Sequence, residues 1–312
     1  MVTGNGIGPF TCSLSSLNEA TTYYVRAYAT NEIGTSYGGE ELFTTSDVAA
    51  AVIYYTSSVK LTETTGEFQN GLHTNAFGAT MISHSFVDGI GTITFSDAVT
   101  TVGYMAFRGC SSLSSVIIPE SVTSIGQKAF LNCSNLTSIN IPIGVTDIGE
   151  SAFSGCKKIT TIELPNTVTH IGNNAFSDCS SLVSFEIPSG VTSLGVATFA
   201  YCTYLTSVTI PNSVTSIGIS AFQKCENLQS VELPVNLISL EERVFSSCTS
   251  LSSIVIPDQV TSIGQLAFEQ CISLNSIEIP NSVISIGSNA FSYCSSLSSL
   301  TIGSGVNTIG SL

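Results

Sequence analysis

Nine thiols recur at a fixed interval, and thiol chemistry is the first thing the chain could offer. Cys110, Cys133, Cys156, Cys179, Cys202, Cys225, Cys248, Cys271 and Cys294 stand 23 residues apart without insertion or deletion. A metal site would need several thiolates converging on one ion at about 2.3 Å. Equal spacing instead places the thiols in a line, one strand spacing from each other. That separation would admit disulfides, but their geometry is demanding and pairing along a column leaves one of the nine over. The third reading, and the one expected, is a column of small buried hydrophobes whose S–H groups point at loop carbonyls. Cys12 lies outside the register.

Other chemistry finds little footing. His73, His84 and His170 are far apart in sequence, and none sits in a metal-ligand or nucleophile motif. Each repeat glycine stands alone, so no phosphate-cradling loop is formed. No cofactor, metal site or catalytic residue is expected, and the chain reads as a non-enzyme.

The period itself is architectural, because no catalytic grouping has a reason to recur nine times. Phe precedes each of these cysteines by three positions, and Pro follows nine positions later from Pro119 to Pro280, with Gly303 taking its place at the end. One unit reads VTSIGQKAFLNCSNLTSINIPIG, Val122 to Gly144. Within it Leu136 to Ile141 alternates, Ile139 and Ile141 on one side and Ser138 and Asn140 on the other. This predicts a short strand with one buried face. Pro142 ends that strand by removing a ladder donor. Gly126 is read as permitting a tight or left-handed turn, and Gln127 to Asn132 as a short helical turn that turns Ala129 and Phe130 inward. A single 23-residue unit cannot bury enough apolar surface to fold alone, so neighbours must stack. The fold class expected is a repeat solenoid with one parallel β-sheet on one face and short helical turns on the other.

The outward strand positions are then the candidate binding residues. One column is a run of Ser and Thr from Ser115 to Ser299. The next runs Ile117, Asn140, Glu163, Glu186, Thr209, Glu232, Val255, Glu278, Thr301. Asn140, Glu163, Glu186, Thr209, Glu232 and Glu278 are the residues expected to meet a ligand, with basic protein surfaces favoured by charge. The other reading is that Ser and Glu only solvate a sheet face and forestall aggregation.

Eight basic against 22 acidic residues give a formal charge of -14. That field repels nucleic acid and anionic lipid. Mean hydropathy is positive at +0.39, yet no apolar run approaches the roughly 18 residues of a membrane span. The first twenty residues lack a basic start followed by an apolar core, so no secretion signal is visible within them.

Three domains are expected: residues 1–46, 47–98 and 99–312. The first alternates apolar and polar residues at Tyr24 to Ala29, breaks at Asn31 to Gly34 and resumes at Leu42 to Thr44, a hairpin pattern. It resembles the second half of a fibronectin type III domain through Leu17, Thr21, Tyr23, Val25, Arg26, Asn31, Gly34 and Ser36; the first half of such a sandwich and its usual core Trp are absent. The second begins with the linker Ser46 to Ala51 and the β-prone run Val52 to Tyr55. Its Ile90, Ile93 and Phe95 fall 23 residues before Leu113, Val116 and Ile118, and Val87 falls 23 before Cys110. GIGTITF therefore reads as a degenerate repeat that caps the array.

From Ile90 to Leu312 the motif VTSIGxxAFxxCxxLxxIxIP resembles the BspA-like, or Treponema-type, leucine-rich repeats of bacterial surface proteins. That resemblance implies a right-handed solenoid, a cell-surface or secreted location, and adhesion to host matrix proteins or to other microbes. The leading expectation is a non-catalytic surface protein that binds protein ligands, with no nucleic-acid partner and no membrane insertion by this region. A structural spacer displaying another module and a glycan-binding protein are the alternatives.

Overall fold

A computed structural model describes residues 22–31, 34–44, 51–65 and 70–311. From Thr101 onward the chain is a parallel β-solenoid of about nine coils built on two interrupted ladders of short strands, and the coil that carries Glu163 forms no strand in the first of them. The first ladder pairs Ser138 with Ser115, Ser184 with Ser207, and Ser276 with Ser299. The second pairs Ser124 with Asp147, Ser239 with Ser262, and Ser285 with Thr308. Each pair is one 23-residue period apart, so the hydrophobic register is copied from coil to coil and cannot slip by one residue without turning every apolar side chain outward. The single sheet expected is thus corrected to two. The Val–x–x–Ile run before each glycine was too short to read as a strand, and it forms the second ladder.

Pro turns the corner between the ladders. Its carbonyl accepts from the N–H three residues on, as in Val145 to Pro142 at 3.0 Å and Val214 to Pro211 at 3.0 Å.

The third side of each coil is not helical; no helix occurs among the described residues. In Gln127 to Cys133 the N–H groups alternate. Those of Lys128, Phe130 and Asn132 donate to Glu150, Ala152 and Ser154 of the next coil at 2.7–2.8 Å, while those of Ala129, Leu131 and Cys133 donate three residues back at 3.1–3.2 Å. Lys128 and Asn132 have φ of 59° and 61°, a conformation no α-helix contains, and the pair recurs at Ser151 and Gly155, Asn174 and Asp178, and Ala197 and Tyr201. A helix would aim every N–H along its own axis and leave no backbone bridge between coils. Stacking selects the alternating turn because half its donors then tie neighbours together.

Inside, the side chains repeat as columns. Phe107 through Phe291 stack in one line with ring centroids 5.2–5.7 Å apart and planes within 4–17°. Beside them lies the cysteine column, all free thiols. Each S–H from Cys133 to Cys294 donates to the carbonyl of the Phe 26 residues earlier at 3.0–3.2 Å. Burial raises these thiols far above the ordinary range, to about 12 for Cys110 and Cys179; Cys294, in the last coil and partly exposed, rises to about 11. The thiolate is the reactive form. Alkylation of the native protein at pH 8 should therefore spare Cys133 to Cys271 and mark Cys294 first among the nine, whereas all react in denaturant. Mass mapping that found Cys202 modified as fast as Cys294 would refute the buried column.

The N-terminal part departs from the repeat. β1 (Thr22–Asn31) and β2 (Gly34–Thr44) form an antiparallel hairpin; Leu17, Thr21 and Cys12 lie outside the described residues. Then come β3 (Val52–Ser57), β4 (Glu63–Thr64), β5 (Leu72–His73), β6 (Met81–Val87) and β7 (Ile90–Phe95). They precede β8 (Thr101–Val102), β9 (Leu113–Ile117), β10 (Ser124–Ile125) and β11 (Ser138–Ile139). One five-stranded sheet has the order β11-β9-β3-β7-β6. Ile93 and Phe95 are buried as the counting predicts, but Ile90 and Val87 are exposed, and β7 does not pair with β9. β3 inserts between them, antiparallel to both. GIGTITF is therefore not a further coil. An antiparallel strand presents a different hydrogen-bond pattern to the array edge, so parallel stacking stops at β9.

Candidate functional site

Two halves of each coil differ in charge. The sheet half runs from the buried Leu through the Pro corner to the second strand, as in residues 136–148; the turn half is the remainder, as in 126–135. Between residues 99 and 312 every Lys and Arg falls on the turn half: Arg108, Lys128, Lys157, Lys158, Lys224 and Arg243. Six carboxylates share that half, at Glu150, Asp178, Glu226, Glu241, Glu242 and Glu269. Several of its cations are already engaged. Lys157 pairs with Asp178 at 3.0 Å, Arg243 with Glu242, and Lys224 lies over the Tyr201 ring at 5.1 Å. The sheet half carries seven carboxylates, Glu120, Asp147, Glu163, Glu186, Glu232, Asp258 and Glu278, and no cation. Among the described residues no ion pair reaches any of them.

Strand alternation explains where these groups point. Phe185, Val231 and Ile277 face the core, so Glu186 and Glu278, next along their strands, and Glu232, just past the end of its own, face solvent. Register then lines them up: Glu186 lies opposite Thr209, and Glu278 opposite Thr301. Glu163 is exposed in the equivalent position. Asn140 behaves differently. Its amide accepts from Ile118 N–H at 2.7 Å and donates to Ile118 O at 3.0 Å, so it replaces a missing rung of the first ladder and keeps one N–H and one oxygen lone pair. The column also holds apolar members, Ile117 at 59% and Val255 at 82% exposure. Toward the last coils it deepens into an open groove of about 620 Å³, where Glu278 and Asp258 stand beside Asn281, Thr301 and Ser304.

The threonines of the second ladder are spent internally. Thr123, Thr146, Thr169, Thr215 and Thr261 donate their hydroxyls to carbonyls of the preceding coil. No group of three or more His, Cys, Asp or Glu side chains suited to a metal occurs among the described residues, and they include no helix long and apolar enough to cross a membrane.

Sequence reasoning missed one cluster. Tyr55, His84 and Glu63 meet beneath the N-terminal strands: His84 Nδ1 lies 2.7 Å from Glu63 Oε1, and His84 Nε2 lies 2.6 Å from the Tyr55 hydroxyl. The three come from β3, β6 and the start of β4, and no periodic signal links them.

Known proteins share the repeat of this chain. The sequence profile of the BspA type leucine-rich repeat region matches six copies over residues 84–206 and 192–312. A leucine-rich cell surface protein from Faecalibacterium prausnitzii is 36% identical, over 64% of this chain and 62% of that one, with a TM-score of 0.48. The chain thus spans less than two thirds of that protein's length. A leucine-rich repeat protein from Treponema pallidum is 24% identical over 73% of this chain and 91% of its own, TM-score 0.49. One from Bacteroides ovatus is 26% identical over 81% and 89%, TM-score 0.34. Curated proteins give no match. With the 23-residue register, the two parallel ladders and a profile match over more than half its length, the chain belongs to the BspA-type leucine-rich repeat family.

Proposed function

We propose that this is a non-catalytic cell-surface protein whose sheet half binds basic protein ligands, such as host matrix proteins or surface proteins of other microbes. The surface placement follows from the family resemblance. The binding face follows from one observation: seven sheet-half carboxylates stand without a cation, while the turn half balances six against six. Opposed potentials steer encounter and fix orientation, and exposed apolar residues of the same column, Ile117 and Val255, supply area that can be desolvated.

The test is a surface-binding assay of the full chain against a panel of basic and acidic matrix proteins at two ionic strengths. Replacing Glu163, Glu186, Glu232 and Glu278 together by Gln should weaken capture of a basic ligand about tenfold or more and flatten its salt dependence. Equal binding by the variant would remove this face. Equal capture of basic and acidic proteins would remove the charge argument.

A further inference from the structure

We propose that Tyr55, His84 and Glu63 form an acid-sensitive latch that holds strands β3 to β7 against the first coil of the solenoid. The chain of hydrogen bonds has one consistent polarity. Glu63, as a carboxylate, can only accept, so His84 Nδ1 carries the proton. Nε2 then accepts the Tyr55 O–H, and the Tyr55 oxygen in turn accepts the Leu61 N–H at 3.3 Å. Every group is satisfied only while the imidazole is neutral.

The position of these residues makes the bond chain mechanical. β3 pairs with both β7 and β9, so Tyr55 sits in the strand that joins the β6–β7 pair to the array. His84 lies on β6 at the far edge of that sheet. Glu63 opens β4, which pairs with β5; from β5 and the residue before it, His73 N–H reaches Ala106 O and Gly71 N–H reaches Arg108 O on the first turn segment. The Tyr55 ring is buried over Gly91, where any Cβ would lie 1.9 Å from the ring. One imidazole thus ties together all three pieces that cover the first coil.

Protonation gives Nε2 a hydrogen and removes its lone pair. The Tyr55 O–H must then swing away from its acceptor inside a packed site, and a buried donor is left unmatched. The charged groups facing His84 are Glu63, which favours the proton, and Lys60, 3.7 Å from Glu63, which opposes it. The Cys110 thiol is the titratable group facing Tyr55 from the array. Burial, the largest influence, holds the imidazole below its ordinary value, and the His84 side chain is only 1% exposed. The sign follows. Above about pH 6.5, the ordinary value, neither the closed nor the opened segment binds this proton and the latch holds fully. As pH falls below it the opened form takes the proton first, so stability of the segment drops until the closed form titrates too.

Hydrogen exchange of the full chain between pH 7.5 and 5.0, corrected for intrinsic exchange rates, reads this directly. Protection of peptides from residues 52–95 should fall up to tenfold per pH unit below about 6.5, with peptides from residues 150–250 unchanged. His84→Gln, which cannot be charged, should flatten that slope, and Tyr55→Phe, which has no hydroxyl to displace, should reduce it. A flat wild-type profile overturns the latch. So does a slope that survives in both variants, because another group would then be titrating.

Discussion

Replacing Phe199 with alanine is expected to destabilise the protein by about 3–5 kcal/mol. The ring is fully buried between Phe176 and Phe222, at 5.6 and 5.5 Å, and packs edge-on against Phe185 at 4.8 Å. Its removal opens a cavity whose walls cannot close in, because each neighbouring ring is fixed by the coil that carries it. In an array whose stability is a sum of nearest-neighbour terms, loss of one interface also separates the two sides. Urea unfolding should therefore broaden as well as shift, and exchange should quicken first in the coils on either side of residue 199. Phe291→Ala is the control. That ring stacks on Phe268 alone, at 5.4 Å, and is already partly exposed in the last coil, so its loss should cost clearly less. Equal losses at the two sites, with sharp transitions in both, would show that the array unfolds as one indivisible block.

Why these columns could be read from sequence, while other features could not, has a physical cause. A buried side chain that meets the same environment in each coil is written nine times, so Phe, Cys and Leu positions stand out above local variation. Cys202 and Leu205 are buried where the period puts them, and Glu163, Glu186, Glu232 and Glu278 are exposed where strand alternation puts them. Backbone conformation leaves no such mark. Lys128, Ser151, Asn174 and Ala197 share a positive φ but no residue type, since coil-to-coil hydrogen bonds impose that conformation on whatever residue is there. The helical turn expected from Ala129 and Phe130 facing inward was therefore the natural reading and the wrong one. Non-periodic contacts are invisible for a different reason. His84 is 29 residues from Tyr55 and 21 from Glu63, and only the pairing of β7 with β3 on one side and β6 on the other brings His84 to Tyr55. Asn140 shows the same limit: nothing in its column announces the two hydrogen bonds by which its amide bridges to Ile118.

The glycine column carries the second large effect, and its reason differs from the one the sequence suggests. Gly126, Gly149 and Gly172 do not have a left-handed φ. What they need is room. A Cβ on Gly149 would lie 2.5 Å from Gln127 N and 2.6 Å from Gly126 C, both backbone atoms of the preceding coil, and Gly172 meets Glu150 N at 2.6 Å. The backbone there cannot retreat cheaply, because the Gly149 N–H already donates to Ile125 O at 2.7 Å. Gly149→Ala should thus cost about 1–3 kcal/mol as an overpacked contact. Gly144→Ala, five residues earlier in the same coil, should be nearly neutral, since its Cβ would meet nothing closer than 3.4 Å. Urea midpoints of the two variants decide the matter, and equal values would mean that close approach is not what keeps glycine in the column. Glu241 stands where the column should have glycine, and there the second ladder is interrupted, the strand Ser216–Ile217 leaving Ser239–Leu240 unpaired on that side. The ladder also breaks between His170–Ile171 and Ser193–Leu194, where Gly195 is retained. The ladder thus breaks once with a Cβ in the column and once without. The close approach of glycine to the coil below is what lets the backbone bridges on the turn half and the strand pairs on the sheet half form at the same time.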